Sequence, residues 1–128
     1  MTTQKILSAL IVLGWFVALP FAVTLADGSE SAAMAGRHLG MALKATDVAT
    51  VHEHLHHVLN CLVGPGGDGY DAAAGNPCEK SGAAIPQTTD AQAKAKLEKA
   101  AADARRGIAE TDLDKAKQAV KDVQMALK

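Results

Sequence analysis

The sequence predicts an all-α fold: an antiparallel four-helix bundle made of two helical hairpins, with a disulfide-strapped loop, behind an N-terminal signal or anchor helix. Three observations predict it. After residue 30, apolar residues recur at spacings of three and four, which is the period of one helix face. Alanine, the best helix former, is abundant there, while aromatic side chains are nearly absent. Residues that favour helix starts and turns separate the periodic segments. Narrow apolar seams of this kind suit a bundle with a thin core.

Residues 1–26 have the pattern of a secretory signal. Lys5 supplies a positive charge, residues 6–26 carry no charge, and Thr24-Leu25-Ala26 offers the small residues that a signal peptidase reads. Pro20 favours cleavage, because it breaks a helix shortly before the cut. The uncharged stretch is also long enough for an uncleaved transmembrane anchor. With either outcome, residues 27–128 form one helical domain outside the cytoplasm, and we expect it in the periplasm.

Four helices are predicted in this domain, over residues 31–45, 48–63, 91–109 and 113–127. Each follows a residue whose side chain can cap a helix N-terminus. In chain order these are Ser29 or Ser31, Asp47, Asp90, and Thr111 or Asp112. The run Gly64-Pro65-Gly66-Gly67 ends the second helix, and residues 64–89 are too rich in glycine, alanine and proline for regular structure.

Cys61 and Cys78 are the two cysteines of the chain. Because the leader directs the domain to an oxidising compartment, we expect them to form a disulfide that straps the 64–89 loop. Two thiolate ligands for a metal ion are the alternative. A domain whose core is built largely of alanine needs such a covalent staple, since alanine buries little apolar area.

Charge and motifs exclude several classes of function. Residues 27–89 hold three basic and seven acidic side chains, and residues 90–128 hold nine and seven. No basic run suits a nucleic-acid backbone. The sequence holds no C-x-x-C-H motif for covalent haem, and the scarcity of aromatic side chains argues against a haem pocket. No nucleophile motif or phosphate-binding loop is present, so we expect a protein that is not an enzyme.

All five histidines lie in the first hairpin, in the more acidic half of the chain. On a helix, His52 and His56 flank the apolar seam on one side, four residues apart, and two imidazoles at this spacing can hold one Zn²⁺, Cu²⁺ or Ni²⁺ ion. His54 and His57 lie on the other side, three residues apart, a less favourable spacing. The alternative for each histidine is a boundary residue that contacts water or a carboxylate.

The first helix offers further ligands. In an antiparallel hairpin that turns at residues 46–47, His38 lies level with Leu55, and Met41 lies level with His52. Thioether and imidazole together suit copper. The spacing therefore favours His52 and His56 as the principal ligands, with His38 next and Met41 as an additional candidate. Which stripe of the second helix faces the first depends on helix rotation, which the sequence does not fix.

Alanine-rich helical hairpins with histidines three and four residues apart, behind a signal peptide, resemble small periplasmic metal-binding proteins typified by a histidine-rich four-helix bundle. The resemblance covers about residues 31–127 and rests on His52, His54, His56 and His57. It implies a non-catalytic periplasmic protein that binds copper, nickel or zinc. The chain departs from the pattern because its second hairpin has no histidine and its loop has a cysteine pair. One or two metal sites are therefore expected rather than high-capacity buffering.

A different function follows if the leader stays in place. The chain would then be a single-pass, membrane-anchored accessory subunit of a larger membrane complex. In that case the histidines would be polar interface residues, and Tyr70, the one aromatic residue after the leader, would be a partner contact in the strapped loop.

Overall fold

The computed structural model describes residues 28–128, and in that range it contains five helices and no strand. They are α1 (Ser29–Lys44), α2 (Val48–Val63), α3 (Ala84–Gln87), α4 (Ala91–Ala109) and α5 (Leu113–Ala126). The all-α prediction is confirmed, and the four long helices match the predicted ones within two residues at every end. The predicted leader, residues 1–26, lies outside the described residues.

The four long helices form a bundle of two hairpins. Three residues connect α1 to α2, and three connect α4 to α5, so each pair is antiparallel. Helix α2 packs against α1 and α4, and α5 packs against the same two helices from the other side. The hairpins are therefore placed side by side, with α2 and α5 also in contact across the centre of the bundle.

The core of this bundle is built from small side chains. Helix α2 supplies the bulkiest fully buried set, which comprises Val51, Leu55, Val58, Leu59 and Leu62. The facing positions of α4 and α5 are mostly alanine. Gly107 on α4 allows the closest approach, since a Cβ there would lie 2.7 Å from Cδ1 of Leu55 and 2.9 Å from Cβ of Ala119. Small residues on α4 thus let α2 and α5 draw together, which compensates for the lack of large core side chains.

An aspartate caps the N-terminus of three helices, as predicted. The side chain of Asp47 accepts a hydrogen bond from the N–H of Thr50. Asp90 and Asp112 likewise accept from the N–H groups of Ala93 and Lys115. The first helix differs from the prediction, because its N-cap is Gly28, which makes no side-chain cap. Ser31, expected as a possible cap, is instead buried in the first turn.

The buried hydroxyl of Ser31 contacts the connecting segment. Its Oγ lies 2.9 Å from Oγ of Ser81 and donates a hydrogen bond to the carbonyl of Gly82. The residue therefore ties the start of α1 to the segment that joins the two hairpins, a non-local contact that a capping pattern does not indicate.

Helix α3 lies within the segment predicted to be irregular. Pro86 does not disrupt it, because the N–H groups of a first helical turn have no intrahelical partner to lose. The Gln87 side chain donates to the carbonyls of Ser81 and Ala83, and Thr88 Oγ1 donates to that of Ala84. Side-chain hydrogen bonds thus stabilise one helical turn that is too short to show a periodic apolar pattern.

Candidate metal centre

Three of the five histidines come together between α1 and α2. His38 of α1 and His54 and His57 of α2 each offer one ring nitrogen, and these three atoms all lie within 4.8 Å of one another. The ring centroids of His38 and His57 are 4.6 Å apart, and those of His38 and His54 are 5.6 Å apart. All three side chains are half-buried. This histidine triad is close enough to hold a metal ion.

The spacing of the triad suits tetrahedral coordination. Two imidazole nitrogens bound to one Zn²⁺ at about 2.0–2.1 Å lie about 3.4 Å apart in a tetrahedral site. Nδ1 of His38 and Nδ1 of His54 are separated by 3.4 Å. The third nitrogen, from His57, lies within 4.8 Å of both, and rotation of the half-buried His38 and His54 rings would close the remaining gap.

The environment of His57 matches that of a metal-ligating histidine. Its Nε2 lies 2.8 Å from the carbonyl oxygen of Ala74. A carbonyl oxygen can only accept a hydrogen bond, so Nε2 carries the proton. Nδ1 of His57 is then the nitrogen with a lone pair, and it is buried with no hydrogen-bond partner in residues 28–128. Ligating histidines commonly donate their other N–H to a carbonyl in this way.

The electrostatics keep His38 available as a ligand. The pKa of His38 is lowered from 6.5 to about 4, mainly by burial and then by nearby His57 and His54, while Glu53 acts in the opposite direction. His38 is therefore neutral at pH 7. A metal ion binds the neutral form of imidazole, so no proton has to leave His38 when the ion arrives.

His52 and His56, the pair that the spacing favoured, are placed elsewhere. Nε2 of His52 lies 2.8 Å from the carbonyl oxygen of Glu110 at the end of α4. Nδ1 of His56 lies 3.7 Å from a carboxylate oxygen of Asp71, which is too long for a hydrogen bond. His52 thus makes a backbone contact, and Nδ1 of His56, like that of His57, is buried with no hydrogen-bond partner in residues 28–128. The stripe of α2 that holds His54 and His57 is the one that faces His38, while His52 lies toward the end of α4.

The remaining predicted site residues are also located. Met41 is 41% exposed. Tyr70 is half-buried in the loop, where its N–H donates to the carbonyl of Gly67. The sequence therefore named all three members of the triad as candidates but ranked His54 and His57 below the other pair. The predicted register of His38 opposite Leu55 was used to group His38 with His52 and His56, although it brings His38 equally level with His54 and His57.

The predicted disulfide is confirmed. Cys61 and Cys78 are bonded with a Cα–Cα distance of 5.1 Å, and both are buried. Since no free thiol is left in the chain, the alternative of two thiolate metal ligands is wrong. The bond fits an oxidising, exported compartment. It fixes the loop against the last turn of α2, one turn beyond His57.

Comparison with known proteins adds no relative, since no protein-family model, curated protein or solved structure matches this sequence. Within residues 28–128, no helix combines the length and the apolar character that crossing a bilayer requires.

Proposed function

We propose that this chain is a non-catalytic, exported metal-binding protein that holds one divalent transition-metal ion with His38, His54 and His57. The observation that carries the proposal is the convergence of three ring nitrogens within 4.8 Å from two helices. Imidazole donors without carboxylate or thiolate suit Zn²⁺, Cu²⁺ or Ni²⁺. The acidic first half of the chain also favours a cation.

A binding role is supported over a catalytic one by the sequence, which has no nucleophile motif and no phosphate-binding loop. The periplasm is the proposed compartment. The disulfide and the signal-like residues 1–26 support it, because disulfides persist where the environment is oxidising.

Calorimetric titration of the purified protein with Zn²⁺, Ni²⁺ and Cu²⁺ tests the proposal. We expect about one ion per chain for the preferred metal, and loss of binding in His54→Ala. His52→Ala is the matched control, because it removes a half-buried histidine of the same helix that contacts Glu110 rather than the triad. Equal binding by the wild type and His54→Ala would contradict the assignment, as would an absence of binding by the wild type.

The membrane-anchored accessory subunit is retained as a second proposal because residues 6–26 carry no charge. Mass spectrometry of the native protein separates the two. An N-terminus at Asp27 supports the exported form, while an intact leader in the membrane fraction supports the anchored subunit.

A further inference from the structure

Asn60 is a fully buried polar residue near the end of α2, one turn beyond His57. Its side chain makes three hydrogen bonds to the loop segment 71–75, which we call the strap. Nδ2 donates to the carbonyls of Asp71 at 2.7 Å and Gly75 at 2.6 Å, and Oδ1 accepts from the N–H of Asp71 at 2.9 Å. A buried amide with this many main-chain partners holds the strap in one register, since breaking any bond leaves a polar group unpaired.

The strap carries the carbonyl group that orients His57. Ala74 lies between the two residues that Asn60 fastens, and its carbonyl oxygen accepts the hydrogen bond from Nε2 of His57. Residues 57 and 60 are three apart on α2, so both project from the same side of the helix. The position of the Ala74 carbonyl relative to His57 is therefore set by the amide of Asn60.

A change at Asn60 would reach the triad through the tautomer of His57. While the Ala74 carbonyl is in place, the proton of the neutral ring stays on Nε2 and the lone pair stays on Nδ1. If the strap shifts, the ring can rotate and the proton can move to Nδ1, which removes the lone pair from the buried nitrogen that has no hydrogen-bond partner in residues 28–128. The disulfide at Cys78 still tethers the loop, so such a shift is local.

We propose that Asn60 is a positioning residue of the metal site: it fastens the strap to α2 and thereby holds the Ala74 carbonyl where it fixes the Nε2–H tautomer of His57. This inference rests on the proposed function and adds to it a residue that is not itself a ligand. Loss of such an outer contact typically weakens metal binding by about 10–100-fold.

The test compares the wild type with Asn60→Ala and Asn60→Asp. The aspartate keeps the acceptor for the N–H of Asp71 but turns an oxygen toward two carbonyls. Zn²⁺ affinity is measured by competition with a chromophoric chelator, and the His57 tautomer by ¹H–¹⁵N correlation spectra of the metal-free protein. We expect the Nε2–H tautomer in the wild type, a mixed or rapidly exchanging ring in both variants, and Zn²⁺ binding weaker by about 10–100-fold at unchanged stoichiometry. Val120→Ala, a core truncation on α5, is the control and should alter neither readout.

Two results overturn the inference. One is a His57 tautomer and a Zn²⁺ affinity in the Asn60 variants that match the wild type. The other is an Nδ1–H tautomer of His57 in the wild type, which decides the matter even if the variants do not fold. If the wild type binds no Zn²⁺, the proposed function fails by itself, and the tautomer comparison, which needs no metal, still supports or overturns the action of Asn60 on His57.

Discussion

The two hairpins share one architecture but differ in what covers their outer surfaces. Both turn through three residues and use an aspartate cap, Asp47 in the first and Asp112 in the second. The α1–α2 hairpin holds all five histidines and is fastened to the 64–89 loop by a disulfide and a buried amide. The α4–α5 hairpin has no histidine and carries exposed ion pairs, among them Arg106 to Asp122 at 2.7 Å.

This difference assigns the candidate site to the first hairpin and a supporting role to the second. Helix α2 supplies most of the large core side chains, two members of the triad and the attachment of the strap, while α4 and α5 offer mostly small residues against which it packs. Perturbations of the first hairpin should therefore have larger and more specific effects than perturbations of the second.

Removal of the disulfide is expected to have the largest effect on stability. Replacement of both Cys61 and Cys78 by alanine should lower the free energy of unfolding by about 3 kcal/mol, because the unfolded chain regains the entropy of a closed loop. Urea denaturation of the two proteins measures the difference. A loss below about 1 kcal/mol would mean that the strap is held by its hydrogen bonds rather than by the disulfide.

Metal binding should stabilise the protein by about as much as the disulfide does, and mainly in the α1–α2 hairpin. At a free Zn²⁺ concentration 100 times the dissociation constant, the free energy of unfolding should rise by about 2.7 kcal/mol. Hydrogen exchange should slow most in α1, α2 and the strap. Equal slowing in α4 and α5, or a stabilisation that persists in His54→Ala, would break the division into site and scaffold.

Glycine-to-alanine substitutions should have opposite signs in the two hairpins. Gly107→Ala places a Cβ against Leu55 and Ala119, so we expect a destabilisation of about 1–3 kcal/mol. Gly36→Ala on α1 is the matched control, since nothing lies within 4 Å of its added Cβ. It should stabilise the helix by up to about 1 kcal/mol. Thermal denaturation of both variants checks the signs, and a neutral Gly107→Ala would mean that the helices can separate at little cost.

As the pH falls, the first hairpin should lose stability before the second. The pKa of His38 is lowered from 6.5 to about 4, first by burial and then by the neighbouring His57 and His54. Between these two pH values the unfolded chain binds a proton at this residue that the folded protein does not bind. The metal-free protein should therefore lose stability as the pH falls from about 6.5 to about 4, as measured by urea denaturation with a chelator present. His38→Ala should reduce this slope, and an unchanged slope would show that the lowered pKa of His38 is not its cause.

The carboxylates of the second hairpin affect stability only at lower pH. Burial favours a higher pKa for Asp103, but hydrogen bonds from Lys99 and Arg106 give a net lowering, and Arg106 and Gln118 lower that of Asp122. The stability that these groups add is complete above the unfolded-state pKa of 3.8 and is lost as the pH falls below it.

The smallest effect is expected from the surface ion pairs. Arg106→Ala removes contacts with Asp103 and Asp122 at an exposed surface, and such pairs contribute about 0.2–1 kcal/mol because water screens them. Zn²⁺ affinity should not change. A measurable loss of metal affinity in Arg106→Ala would show that the second hairpin does more than support the first.

The helices could be predicted from the sequence because the signals are local. Asp47, Asp90 and Asp112 each cap the helix that the apolar spacing predicts, and Gly64, with a φ of 70°, ends α2. Helix α3 was missed since side-chain bonds of Gln87 and Thr88, rather than a periodic pattern, maintain its single turn.

The site could be predicted only in part. The sequence places five histidines on one hairpin, and the antiparallel register puts His38 level with the middle of α2. It does not determine the rotation of α2 about its axis, which depends on how Leu55 packs against Gly107 of the other hairpin. That rotation decides whether His54 and His57 or the alternative pair faces α1, and the i, i+4 rule favoured the alternative pair.

One measurement tests the central claim most directly: a Zn²⁺ titration followed by ¹H–¹⁵N correlation spectra of the imidazole rings. The structure predicts that the signals of His38, His54 and His57 change together and are complete at one equivalent, while His52 keeps the signal of a ring that contacts the Glu110 carbonyl. Changes confined to His52 and His56 would contradict the account, because the ion would then bind at the i, i+4 pair on the opposite side of α2.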